Sequence, residues 1–190
     1  MKKLIVFVSV LIFFASCSKD KENTGSPLKV FRGIVVTSGF GDHLGVWGTE
    51  DGDWSYDASW TSQETAVLNF PDSVNLDGTY IDTSTYHSEV IAFPNPTTGN
   101  LFLHFQLPGR MKLKTAIVDK NFNRLITESI KWTGNFETGE FLDDATLFPD
   151  GIYRLYYSFS ATNHVNFYKG HGDILVCRMA NWADCQSIVP

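Results

Sequence analysis

The sequence predicts an all-β body built as a β-sandwich. Three observations point there. Aromatic residues make up 14% of the chain and gather in short alternating runs. Turn-forming residues punctuate those runs at spacings of roughly 8 to 12 residues, and no long stretch repeats with a helical period. Two apolar sheet faces would bury against each other, leaving loops at the ends for function.

Leu28 to Val36 reads as a first strand and Gly39 to Gly45 as a turn region. Trp54 to Trp60 alternates, so Trp54, Tyr56, Ala58 and Trp60 share one face of a second strand and Ser55, Asp57 and Ser59 the other. Thr65 to Phe70 reads as a third strand ended by Pro71-Asp72, and Thr79 to Tyr86 as a short fourth. A more regular array begins at Glu89 to Phe93 and continues through Leu101 to Phe105, Lys112 to Val118 and Leu125 to Trp132. Glu140 to Leu142 is a short edge, and Gly151 to Phe159 a strong strand introduced by Pro149-Asp150-Gly151. Val165 to Tyr168 and Ile174 to Arg178 are expected to pair as a hairpin about the turn Gly170-His171-Gly172-Asp173.

Ahead of this body, Met1-Lys2-Lys3 supplies a positive start and Leu4 to Ala15 an apolar run of signal-peptide length. The run is too short for a spanning helix, which needs about 20 residues. It ends Ala15-Ser16-Cys17, which resembles a lipobox, with Phe14 standing where an aliphatic residue is usual. The resemblance implies cleavage before Cys17 and acylation, palmitate included, of that cysteine. More than one chain is what stable anchoring requires. Residues 18–27, SKDKENTGSP, read as a flexible leash. The charged start of that leash is similar to the surface-export signals of Bacteroidetes lipoproteins, which implies an outer-membrane anchor with the body facing outward.

The formal net charge of −6 becomes −8 when Lys2 and Lys3 leave with the leader. Such a balance repels phosphate backbones, and no basic cluster offsets it, so nucleic-acid binding is excluded. With Cys17 committed to lipid, Cys177 and Cys185 remain, in an oxidising compartment, and a disulfide between them is expected. A free-thiol pair is the alternative. Residues 28–86 are read as an N-terminal β region and residues 87–190 as a C-terminal sandwich with a cysteine-bounded extension.

Phe93-Pro94-Asn95-Pro96-Thr97-Thr98-Gly99-Asn100-Leu101 resembles the C-terminal tail domain of proteins exported by the type IX secretion system. Ile117-Val118-Asp119, the following turn to Arg124-Leu125, and Asp150-Gly151-Ile152-Tyr153 are similar to the same family. The resemblance spans roughly residues 90 to 178 and implies an immunoglobulin-like sandwich. Family tails lie at the extreme C-terminus, whereas here a cysteine-bounded segment follows and the N-terminus carries the anchor. The domain is therefore expected to be retained for structure or binding. In elementary terms, Pro94 and Pro96 stiffen the start of the motif, and Asn95 can cap a turn.

Trp47, Trp54, Tyr56 and Trp60 are the candidate contact residues, for a protein partner or for the apolar faces of sugar rings. Strand alternation alone also accounts for every aromatic from Trp54 to Trp60. Asp51, Asp53 and Asp57 suggest Ca²⁺, and Asp53, Ser55, Asp57 and Glu64 fall at EF-hand spacing, but Ala58 stands where the loop needs Gly. A solvated acidic face is the simpler expectation, and no metal or cofactor is expected. His164, His171 and Asp173 are linked only by proximity in sequence. Neither a nucleophile elbow nor a phosphate-cradling glycine loop is present. The sequence thus leads to a non-catalytic accessory or interaction subunit of an envelope complex, with glycan capture as the alternative.

Overall fold

The computed structural model describes residues 31–49, 52–82, 89–106, 109–132, 136–142 and 148–190. The leader, Cys17 and the leash lie outside the described residues, as do Asp51 and residues 83–86 of the expected fourth strand. The described residues form ten strands and two short helices: β1 (Gly33–Thr37), β2 (His43–Gly48), α1 (Ser62–Val67), β3 (Tyr80–Ile81), β4 (Glu89–Phe93), β5 (Leu101–Gln106), β6 (Gly109–Val118), β7 (Arg124–Trp132), β8 (Phe136–Leu142), β9 (Gly151–Ala161), β10 (His164–Val176) and α2 (Trp182–Gln186). The chain is thus predominantly β, in several antiparallel sheets.

The large sheet runs β10-β9-β6-β3, with β7 also on β6. A second sheet runs β4-β5-β8, and β1-β2 form a hairpin. The main core is shared: Val90, Ala92, Leu101, Leu103 and Phe105 from the second sheet meet Leu113, Ile117, Leu155 and Phe159 from the large one. β5 shows why its sequence makes a strand, since Leu101, Leu103 and Phe105 are buried while the residues between them are partly open. β9 behaves differently, with residues Tyr153 through Ala161 all buried. The large sheet is covered on its outer face too, where α1 packs Val67 on Ala116, Val118 and Tyr156.

Three expected elements change. Residues 54–60 make no strand: Trp54 has φ +63°, and only an isolated bridge joins Tyr56 to Gly170. Residues 65–70 are not a strand either, because Thr61 and Glu64 close a reciprocal capping box that starts α1. The expected hairpin at 165–178 is one continuous strand, β10, paired with β9. Gly170 and Gly172 are strand residues because neighbours crowd their core face. A Cβ on Gly170 would sit 2.1 Å from the Ser55 carbonyl oxygen, and one on Gly172 2.3 Å from the Trp54 ring. Beyond these, His43–Gly48 is a strand where a turn region was expected to run on to Gly45.

The PNPTTG segment lies along the edge of β10. Asn95 is 0% exposed, and its amide bridges strands in place of capping a local turn. Its Nδ2 donates to the carbonyl oxygens of Val35 and Asp173, each at 2.9 Å, and its Oδ1 accepts from Leu175 N–H at 2.9 Å. One side chain therefore joins β1 to β10. Thr97 continues the attachment, donating its N–H to Leu175 and accepting from Cys177. Farther along the same edge, Trp54 and Asp57 donate backbone N–H groups to the carbonyls of His171 and Lys169. Two separate segments thus pair an edge that would otherwise be open.

Cys177 and Cys185 form the disulfide, with Cα atoms 5.8 Å apart. It fastens α2 against Ile34 and Leu175. The helix has only five residues and could not persist unattached.

Candidate functional site

Register builds the site. Across the outer face of the large sheet, Ser158 stands opposite Lys114 on β6 and Lys169 on β10, and Lys114 stands opposite Ser129 on β7. Two strand spacings separate Lys114 from Lys169, about 10 Å between backbones. The segment carrying Trp60 and α1 rises over this row and leaves a cleft of about 700 Å³, a size usual for small-ligand sites. Ser62, Thr65 and Leu68 form its upper wall, and Lys114, Ser158, Asn166 and Lys169 its base.

Each polar group has a definable state. Asn166 has φ +51° at an irregularity in the β9–β10 register, a conformation Asn tolerates better than most residues. Its Oδ1 accepts from the hydroxyls of Ser158 and Ser160 at 3.0 and 3.1 Å. Lys114 donates to the Phe70 carbonyl and pairs with Asp72, both at 3.0 Å. Lys169 places its ammonium 4.7 Å from the centre of the Trp60 ring, a favourable cation–π approach. The Trp60 Nε1 is buried, so carbon is what that ring offers to the cleft.

From Asn69, which lines the cleft, a strap of residues 69–77 runs on over the sheet, its carbonyls held by basic side chains from β6 and β7. Arg124 donates to Asn69, Lys112 to Val74 and Lys131 to Asp77, alongside Lys114 to Phe70. Lys112 also pairs with Asp72, and the two lysines hold that carboxyl below its ordinary value although partial burial pushes it up.

No family model matches this chain, and no curated protein matches it.

The four aromatic candidates do not form one platform. Trp54 turns into the core and stacks on Tyr157, with 7% of it exposed. Tyr56 is 53% exposed and packs against Tyr168. Trp60 meets Tyr156 edge-on at the cleft, and Trp47 meets Trp182 edge-on at 5.4 Å beside α2, packed with Leu175 near the C-terminal end of β10. The left-handed turn at Trp54 is what separates rings that strict alternation would have aligned.

The EF-hand spacing brings no ligands together. Ser55 donates to Gly52, Asp57 accepts from the N–H and hydroxyl of Ser59, and Glu64 serves the capping box while accepting from the Tyr156 hydroxyl. Among the described residues no group of three His, Cys, Asp or Glu side chains could hold a metal ion.

His164 is exposed at the start of β10, away from His171 and Asp173, which lie buried on one face of it. Arg154 grips Asp173 through Nε and Nη2 at 2.6 and 2.7 Å, a bidentate pair. Asp53 reaches under the crossing segment to within 3.6 Å of His171 Nδ1, an ion-pair separation longer than a hydrogen bond. Burial pushes the His171 pKa down and Arg154 adds to that, but Asp53 and Asp173 prevail and hold it above its ordinary value. Burial and Glu64 raise the Tyr156 hydroxyl far above the usual phenol range, so it remains a donor. The buried group on β9 and β10 thereby holds Asp53, and with it the crossing segment, to β10.

Sequence reasoning missed the cleft. Apart from Trp60, a candidate contact from the start, its residues come from α1 and the two positions after it, β6, β9 and β10, and the one further local signal was the Thr61-Ser62-Gln63-Glu64 capping box.

Proposed function

We propose that this protein is a non-catalytic, lipid-anchored outer-membrane protein, facing the cell surface, whose body binds another envelope protein through the β1–β2 hairpin and α2. The observation that carries the reading is the exposed apolar side chains on those elements: Phe40 in the turn of the hairpin, Leu44 on β2, and Trp182 at 54% exposure on a helix fixed by the disulfide. Large rings held rigid are typical anchors of protein interfaces. Acylation of Cys17 would confine the body to a membrane plane and raise the effective concentration of its partner. We read the two sheets with their shared core as an immunoglobulin-like sandwich related to secretion tail domains, a reading supported by the interstrand role of Asn95 in the PNPTTG motif.

The test is recovery of partners from gently solubilised membranes with the wild-type chain and with Leu44→Ser/Trp182→Ser. A stoichiometric envelope protein that accompanies the first and is lost from the second is expected. Equal recovery with both, or none with either, refutes the assignment. Cys17→Ala should release the body from membranes.

A second reading, saccharide capture, is favoured by one observation: the cleft at Trp60 combines an indole with hydroxyl, amide and ammonium groups.

A further inference from the structure

We infer that the Trp60 cleft takes an acidic saccharide, a pyranose carrying one carboxylate, with Lys169 as counter-charge and the indole of Trp60 as apolar wall. The inference rests on the saccharide reading and names its ligand class. Two lysines line the cleft, and their situations differ. Lys114 is committed to the Phe70 carbonyl and the Asp72 carboxylate. Lys169 has no carboxylate within ion-pair distance among the described residues. Asp57 feels its charge, but Oδ1 of that carboxyl is occupied by Ser59.

An ammonium that rests on a ring face and has no carboxylate paired to it suits a monoanion. A phosphate dianion is better met by a second cation, and Lys114, the other cation among the described residues lining the cleft, is already paired. The remaining chemistry is neutral and suited to hydroxyls. Asn166 spends its oxygen on Ser158 and Ser160, so its amide N–H groups are left to donate. Thr65 and Ser62 present hydroxyls from the exposed side of α1. The buried Nε1 of Trp60 leaves ring carbon to meet the C–H face of a sugar. These features are together on one wall-and-base arrangement, with Trp60 and Lys169 already in contact.

Calorimetric titration of the full-length protein in mild detergent tests this, using trigalacturonate, neutral galactotriose, triglutamate and inorganic phosphate as probes. Trigalacturonate should bind saturably and at least about tenfold more tightly than galactotriose, the scale of one charge-assisted contact. Lys169→Met should remove that advantage, so that the variant binds trigalacturonate no more tightly than it binds galactotriose. A measurement needing no variant runs beside it: raising salt from about 0.05 to about 0.5 M should weaken trigalacturonate alone. Equal affinity for the two sugars, or indifference to both Lys169→Met and salt, overturns the acidic ligand while saccharide capture stands. Binding of neither sugar overturns both. Competition by triglutamate or phosphate as strong as trigalacturonate also overturns the inference, because it reports a site for any anion.

Discussion

Replacing Asn95 by alanine should cost far more than its size suggests. The side chain is wholly buried and makes three hydrogen bonds, to Val35 and Asp173 carbonyls and from Leu175 N–H. Asn95→Ala leaves all three backbone groups unpaired in a dry position. A hydrogen bond contributes about 1 to 1.5 kcal/mol net, so the loss of three is about 3 to 4.5 kcal/mol before relaxation. That is at least a hundredfold in the ratio of folded to unfolded chain, at about 1.4 kcal/mol per factor of ten. Urea unfolding followed by tryptophan fluorescence measures it directly. Asn95→Asp keeps the shape but turns a donor pair into an acceptor facing two carbonyl oxygens. It should be at least as damaging near neutral pH and should recover in part in acid, when the carboxyl regains a proton. A loss under about 1 kcal/mol for Asn95→Ala, with an unchanged denaturant slope, would refute the bridging role.

Other outcomes follow from the same geometry. Replacing Cys177 and Cys185 together by alanine opens a loop with a sequence separation of 8; the chain-entropy relation gives about 2.5 kcal/mol, measurable as a lower urea midpoint and faster proteolysis after Arg178. Gly172→Ala should cost about 1 to 3 kcal/mol by forcing the Trp54 ring aside, with a red shift in tryptophan emission marking its exposure. His171 has a raised pKa in the folded chain, so the stability it adds is complete below its unfolded value of about 6.5 and declines as pH rises through the higher folded value. Unfolding midpoints should therefore fall across that window, and His171→Gln should flatten the fall.

The second half of the chain was readable because its strands show what a pleated sheet requires. Leu101-Phe102-Leu103-His104-Phe105 alternates in sequence and in burial alike. Residues 54–60 alternate as well, but one left-handed residue at Trp54 breaks the relation between spacing and face. The Gly-His-Gly-Asp run looked like a turn because glycine is favoured there. Its reason for being glycine lies about 115 residues away, in the ring and carbonyl that press on it. The capping box at Thr61 is written in the sequence, but reading Thr65 to Phe70 as a strand passes over it; it outweighs the strand propensity of Thr65 and Val67. The cleft was not legible, since its parts meet only after the sheet brings β6, β9 and β10 into register. The disulfide was, because reading the chain as exported left Cys177 and Cys185 few other uses.

The attachment of the early segments to β9 and β10 sets an order of events. The β1–β2 hairpin, the Trp54 crossing, α1 and the Asn95 segment are all synthesised before the strands that receive them. Emerging N-terminus first, each lacks the surface it packs on until the last long hairpin appears. That hairpin is local in sequence and can zip quickly, whereas the segments waiting for it close loops of many tens of residues. Folding should therefore be gated from the C-terminal end, and a chain halted before β10 should remain open to proteases along most of its length.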